Sequence, residues 1–160
     1  MLHKLKALAP VAFGLGFASR AGDSSNPQDI APAARGRDKW IWIANPEPTH
    51  NSYIQVRKLF QLSAAPTKAE IKISADSRYK LYVNGRYVGK GPVRSGEGYA
   101  YFDTHDVAEI LGKGKNVIAI LAHHIGESTR SYTPRRPGVI CKVEMTVGGQ
   151  PLEFGTDETW

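Results

Sequence analysis

The stretch Ala75-Asp76-Ser77-Arg78-Tyr79-Lys80-Leu81-Tyr82-Val83-Asn84-Gly85-Arg86-Tyr87-Val88-Gly89-Lys90-Gly91-Pro92 decides the fold. Two short alternating runs flank an Asn-Gly pair. Both residues tolerate the positive φ that a two-residue type I′ turn requires, so the stretch reads as a β-hairpin. Tyr79, Leu81 and Val83 fall on one face, and Arg78, Lys80 and Tyr82 on the other. Asn84 and Gly85 are expected to make the turn and nothing more. Gly89, Gly91 and Pro92 are expected to end the hairpin, because they extend a central strand poorly.

The same alternation recurs on either side. Lys68 to Ser74 reads as a half-buried strand, with Ala69, Ile71 and Ile73 inward and Lys68, Glu70 and Lys72 outward. Upstream, Trp40 to Ala44 is a strand candidate in which Trp40 and Trp42 point the same way, and Asn45-Pro46-Glu47-Pro48 ends it. In Tyr53 to Leu62, residues Ile54, Val56, Phe60 and Leu62 share a face, with Lys58 as the exception. Downstream, Tyr99 to Asp103 is a strand. Asp106 to Leu111 reads as one helical turn capped by Asp106. Asn116 to Ala122 is apolar on both faces, which predicts a strand covered on both sides. His123 to Pro137 is a long loop carrying Arg130, Arg135 and Arg136, and Val139 to Val147 alternates again before a Gly148-Gly149 turn. About seven or eight short strands with regular turn signals give an all-β fold: an antiparallel β-sandwich of jelly-roll, galactose-binding-like type, with one short helical turn.

The composition fits this architecture. The chain has 160 residues, enough for one core, and its 16 glycines and 10 prolines suit short strands joined by turns. Its formal charge of +6 is spread among turns rather than gathered on a helix, so it reads as a solvated basic surface and not as a nucleic-acid site. The single cysteine, Cys141, excludes an internal disulfide and a Cys-rich zinc site, and its apolar setting predicts a buried, inert thiol.

The N-terminus reads differently. Residues 1–21 carry Lys4 and Lys6 ahead of a short apolar run and small residues near a cleavage position, the pattern of an export signal. The run is too short to span a bilayer. Residues 22–38, rich in Ser, Pro, Ala and Gly, read as a linker, and residues 39–160 as the β-sandwich. A secreted or periplasmic location is the expectation that the signal sets.

The segments Ala75 to Gly85 and Gly91-Pro92-Val93-Arg94-Ser95 resemble part of a known module. Tyr101-Phe102-Asp103-Thr104-His105-Asp106-Val107 continues the likeness, then Leu111, Gly114, Asn116-Val117-Ile118-Ala119 and His123-His124-Ile125-Gly126. Pro137-Gly138, Thr156-Asp157 and Trp160 complete it. In this order they are similar to the N-terminal β-sandwich of bacterial α-L-rhamnosidases. The resemblance implies a parent glycoside hydrolase of inverting type that removes terminal α-L-rhamnose. Its carboxylate pair would lie in a downstream (α/α)-barrel domain of the same polypeptide. The present chain then corresponds to an accessory module, truncated before that catalytic domain.

The residues themselves carry little hydrolytic chemistry. Inverting hydrolysis needs two carboxyl groups about 6.5–9.5 Å apart, one of them protonated. Asp76, Asp103, Asp106, Glu97 and Glu127 are available, but Asp106 reads as a cap and Asp76 and Asp103 as turn holders, so no catalytic residue is assigned. His123 and His124 are adjacent on a strand and point to opposite faces, so they do not share a metal. No metal, no cofactor, no nucleic-acid partner and no membrane span are expected. Sugar contact needs an aromatic platform with polar neighbours, and Tyr82, Arg78, Arg94, Trp42 and Tyr101 are the candidates, with a rhamnose-containing glycan as ligand. A free-standing secreted carbohydrate-binding or adhesion domain is the alternative. Trp160 is expected to lie exposed unless more chain packs on it.

Overall fold

The computed structural model describes residues 38–44, 50–93, 99–130 and 132–160, together with the backbone of two strands at 5–7 and 16–20. Most of the expected export signal and of the expected linker lies outside the described residues. The strands in chain order are β1 (Leu5–Ala7), β2 (Gly16–Arg20), β3 (Ile41–Ile43), β4 (Ser52–Leu62), β5 (Pro66–Asp76) and β6 (Arg78–Val83). They continue with β7 (Arg86–Gly91), β8 (Tyr99–Asp106), β9 (Gly114–His124), β10 (Gly138–Val147) and β11 (Gln150–Gly155). One sheet has the order β1-β3-β10-β5-β8-β2, with β11 also on β10; the other has the order β4-β9-β6-β7. Pairing is antiparallel except between β2 and β8. The expected β-sandwich is therefore present.

Alternation fixes which side of each strand is inside. Ile71 and Ile73 of β5 and Val139, Cys141 and Val143 of β10 face Leu81 and Val83 of β6 and Ile118 and Ile120 of β9, all essentially inaccessible. Slipping a strand by one residue would turn its whole apolar set outward, at a cost of about 1.5–3 kcal/mol for each large aliphatic side chain exposed. Burial of Cys141 pushes its thiol well above the usual range, as an inert core cysteine requires.

Asn84 (φ 49°) and Gly85 (φ 78°) make the predicted turn between β6 and β7. The turn is more than a connection, however. Asn84 Nδ2 donates to Ile110 O and to Asn116 Oδ1, both at 2.9 Å, and Asn84 Oδ1 accepts from Val117 N–H at 2.9 Å. Asn116, buried at the start of β9, closes the set by donating to Gly112 O and Gly114 O at 2.7 and 3.0 Å. The predicted helical turn is a hydrogen-bonded turn in which Ile110 N–H and Leu111 N–H both donate to Val107 O. Asp106 caps it through Ala108 N–H at 3.0 Å.

Strand β7 ends at Gly91, just before Pro92, where the glycines and the proline are expected to end the hairpin. Three expectations need correction. Strand β9 is central in its sheet but covered on one side, so Val117, Ala119 and Leu121 are only half-buried. Trp40 and Trp42 do not share a face, since Trp42 joins the main core while Trp40 packs with Ala100, Phe102 and Ile140. Trp160 is buried in the main core, and its Nε1 donates to Gly155 O at 2.9 Å. The turn at residues 155–160 folds the indole back under the sheet, which sequence periodicity does not reveal.

Candidate functional site

The outer face of the β4-β9-β6-β7 sheet carries the most chemistry. Register places Tyr53 opposite His123 and His123 opposite Arg78 in one cross-strand row. In the next row outward, Gln55, Leu121, Lys80 and Lys90 are partners. The Tyr53 and His123 rings stack with centroids 4.1 Å apart and planes 2° from parallel. Asn51 steers the imidazole, since His123 Nε2 donates to Asn51 Oδ1 at 2.9 Å. Burial, helped by the Arg78 guanidinium and by His124, lowers the His123 pKa, so the ring is neutral at neutral pH. Tyr53 remains 56% exposed. The stack borders an open groove of about 570 Å³ whose walls include Arg78, Lys80, Lys90 and Pro92.

A buried polar chain supports the groove from the core side. Tyr79 Oη donates to Asp103 Oδ2 at 2.5 Å and lies 3.0 Å from His105 Nε2. A phenol has one proton, so His105 Nε2 carries the hydrogen that points at Tyr79. Burial raises the Tyr79 pKa, and the Asp103 hydrogen bond adds to it. Burial also lowers the pKa of His105, against the opposing pull of Asp103. Gly89 and Gly91 are the reason this chain fits. A Cβ at Gly91 would lie 1.9 Å from Asp103 Oδ2, and one at Gly89 would lie 2.5 Å from the His105 ring.

A second cluster pins the loop after β9. Asp76 Oδ1 accepts from the Tyr132 hydroxyl, from Ser77 Oγ at 3.2 Å and from His124 Nδ1 at 3.1 Å. Burial and the bond to Asp76 push the Tyr132 pKa up to about 12. His124 also meets Trp42 edge-on, with centroids 6.1 Å apart. His123 and His124 thus serve opposite faces of β9, as read from the sequence. Asp76, Asp103 and Asp106 hold turns and buried hydrogen bonds, and Glu127 faces His50 at 3.3 Å.

Of the five residues expected to contact sugar, the four that are described do not converge. Arg78 lines the groove. Tyr82 is on the same outer face, four residues along β6, with its ring against Tyr87 at 5.6 Å. Trp42 is enclosed in the core and presents no platform, because both faces of the short strand β3 are covered. Tyr101 is on β8, in the other sheet. Arg94 lies outside the described residues, as does Glu97. Tyr53, His123 and Lys90 line the groove and are not among the residues expected from the sequence. The outward phase of Tyr53 and His123 is readable, but their stacking depends on the β4–β9 register, which single strands do not encode.

Comparison with solved structures gives this arrangement a context. A GH78-family rhamnosidase of Bacillus sp. GL1 matches 76% of the chain at 36% sequence identity, with a TM-score of 0.66. An α-L-rhamnosidase of Streptomyces avermitilis, solved with L-rhamnose, covers 97% of the chain at 24% identity and a TM-score of 0.61. A lectin from Pleurotus ostreatus, solved with GalNAc, covers 98% at 20% identity and a TM-score of 0.55 and shares the fold. The chain spans only 13% of each of the two rhamnosidases. No family model matches the sequence, and no curated protein matches it. The likeness to a rhamnosidase module read from the residues is therefore recovered in sequence and in fold.

Proposed function

We propose that the chain is a non-catalytic accessory module of an α-L-rhamnosidase-like glycoside hydrolase and that it contacts the glycan on which that enzyme acts. The exposed Tyr53–His123 stack beside Arg78 carries this reading, because a flat aromatic surface flanked by hydrogen-bond donors suits the apolar face and hydroxyls of a pyranose. The 36% identity to a rhamnosidase over a short part of its length supports the assignment to such an enzyme. A downstream domain of the same polypeptide would supply the carboxylate pair, in a secreted or periplasmic protein. Of the carboxylates singled out in the sequence, Asp106 caps a turn, Asp76 and Asp103 accept part-buried hydrogen bonds, and Glu127 lies beside His50.

Affinity electrophoresis through gels containing a rhamnose-bearing polysaccharide tests this function. Retardation that is lost in Tyr53→Ala, with no release of nitrophenol from p-nitrophenyl α-L-rhamnoside, is the expected result. Hydrolysis by the isolated chain, or mobility unaffected by any polysaccharide, would contradict it.

A further inference from the structure

The outer face of the four-stranded sheet has an unusual charge arrangement. Lys80 and Lys90 are direct cross-strand partners, which places two like charges about 5 Å apart at the backbone. Arg78 follows two residues along β6 on the same face, about 7 Å further. All three are exposed, and among the described residues none of them forms an ion pair with a carboxylate. The other sheet is arranged in the opposite way. There Lys72 and Lys142 close on Glu144 at 2.6 and 2.7 Å. Like charges directly opposite in a sheet are destabilising, so this surface retains a local cost that no carboxylate among the described residues offsets through an ion pair.

We propose that this face binds an anionic polysaccharide bearing sugar carboxylates. Lys80, Lys90 and Arg78 meet the carboxylates, and the Tyr53–His123 stack holds a sugar ring. The inference rests on the reading of the chain as a carbohydrate-contacting module and adds the charge of its ligand. Three cations that have no carboxylate partner among the described residues, along one wall of a groove, match a chain whose charges repeat from sugar to sugar, and the neutral stack beside Arg78 supplies a face that charge alone does not need. An isolated neutral sugar would use the stack and leave the lysine pair without a role.

Isothermal titration of the whole chain with polygalacturonate tests the proposal, with a neutral rhamnose-bearing polysaccharide, dextran sulfate and oligothymidylate as comparison ligands. Polygalacturonate should bind, and raising the salt from about 50 to about 300 mM should weaken it about tenfold through screening. Lys80→Gln with Lys90→Gln should weaken it about fivefold or more while raising the melting temperature by about a degree, because the repulsion is relieved. Tyr53→Ala should also weaken it, at an unchanged melting temperature. Binding of the neutral polysaccharide alone, without salt dependence, overturns the charge assignment and leaves the accessory function standing. Failure to bind any polysaccharide overturns both. Dextran sulfate bound as tightly and indifferent to Tyr53→Ala, or oligothymidylate bound more tightly than polygalacturonate, overturns the carboxylated glycan.

Discussion

Asn84 Nδ2 donates to Asn116 Oδ1 across 2.9 Å, so the side chain that makes the β6–β7 turn is also bonded to the first buried residue of β9. Asn116 in turn holds Gly112 and Gly114 through their backbones. Replacing it by Leu would leave those peptide groups and Asn84 short of partners in a buried place. Asn116→Leu should destabilise by about 2–4 kcal/mol, read as a lowered urea midpoint at unchanged slope. An unchanged midpoint would mean that water replaces the side chain without cost.

Gly85 and Gly91 separate two kinds of glycine requirement. A Cβ at Gly85 meets nothing within 4 Å, so Gly85→Ala should cost about 1 kcal/mol from its positive φ alone. Gly91→Ala would drive its methyl into Asp103 and Tyr79 and should cost clearly more, about 2–3 kcal/mol. Thermal melts of the two variants decide the order. Equal losses would refute the close approach of β8 to β7.

Stability should fall with acid through His105. Burial lowers its folded pKa below the ordinary value of 6.5, so the neutral ring is favoured in the folded state. This contribution is complete above the unfolded pKa and is lost as pH falls from there toward the folded value. The melting temperature should therefore drop between about pH 7 and pH 5, and His105→Gln should flatten that part of the profile. His123 is shifted in the same direction and leaves a residual slope. A profile of unchanged slope in His105→Gln would exclude this role.

Cys141 should be silent toward thiol reagents in the folded protein. Its side chain is buried among Ile, Val and Met residues, and burial keeps the thiol protonated. Labelling by a maleimide should follow global unfolding in denaturant. Rapid labelling in buffer would show that β10 opens locally.

Local chemistry explains why some of this is legible in the sequence. The Asn84-Gly85 turn, the inward sets of β5 and β6 and the opposite faces of His123 and His124 follow from period-two alternation and turn residues, which are local. The Asn84–Asn116 bond, the Gly91–Asp103 approach and the Tyr53–His123 stack arise where separate segments meet, so no single run announces them. Trp160 shows the same limit for burial. It looks exposed in the sequence, and the terminal turn brings it into the core, whereas Trp42 reads as core or platform and is buried on strand β3. The outward place of Arg78 follows from its own strand, whereas the place of Tyr53 in the same row needs the neighbouring strand and its register.

Sugar should meet this chain on the outer face of the β4-β9-β6-β7 sheet and nowhere else. Nuclear magnetic resonance mapping with labelled protein and a rhamnose-bearing, uronate-containing oligosaccharide tests that claim most directly. Saturable shifts are expected at the Tyr53 and His123 rings and at the amides of Arg78, Lys80 and Lys90, with Trp42 and Tyr101 unmoved. Shifts centred on β5, β8 and β10, or a spectrum unchanged at saturating oligosaccharide, would contradict it.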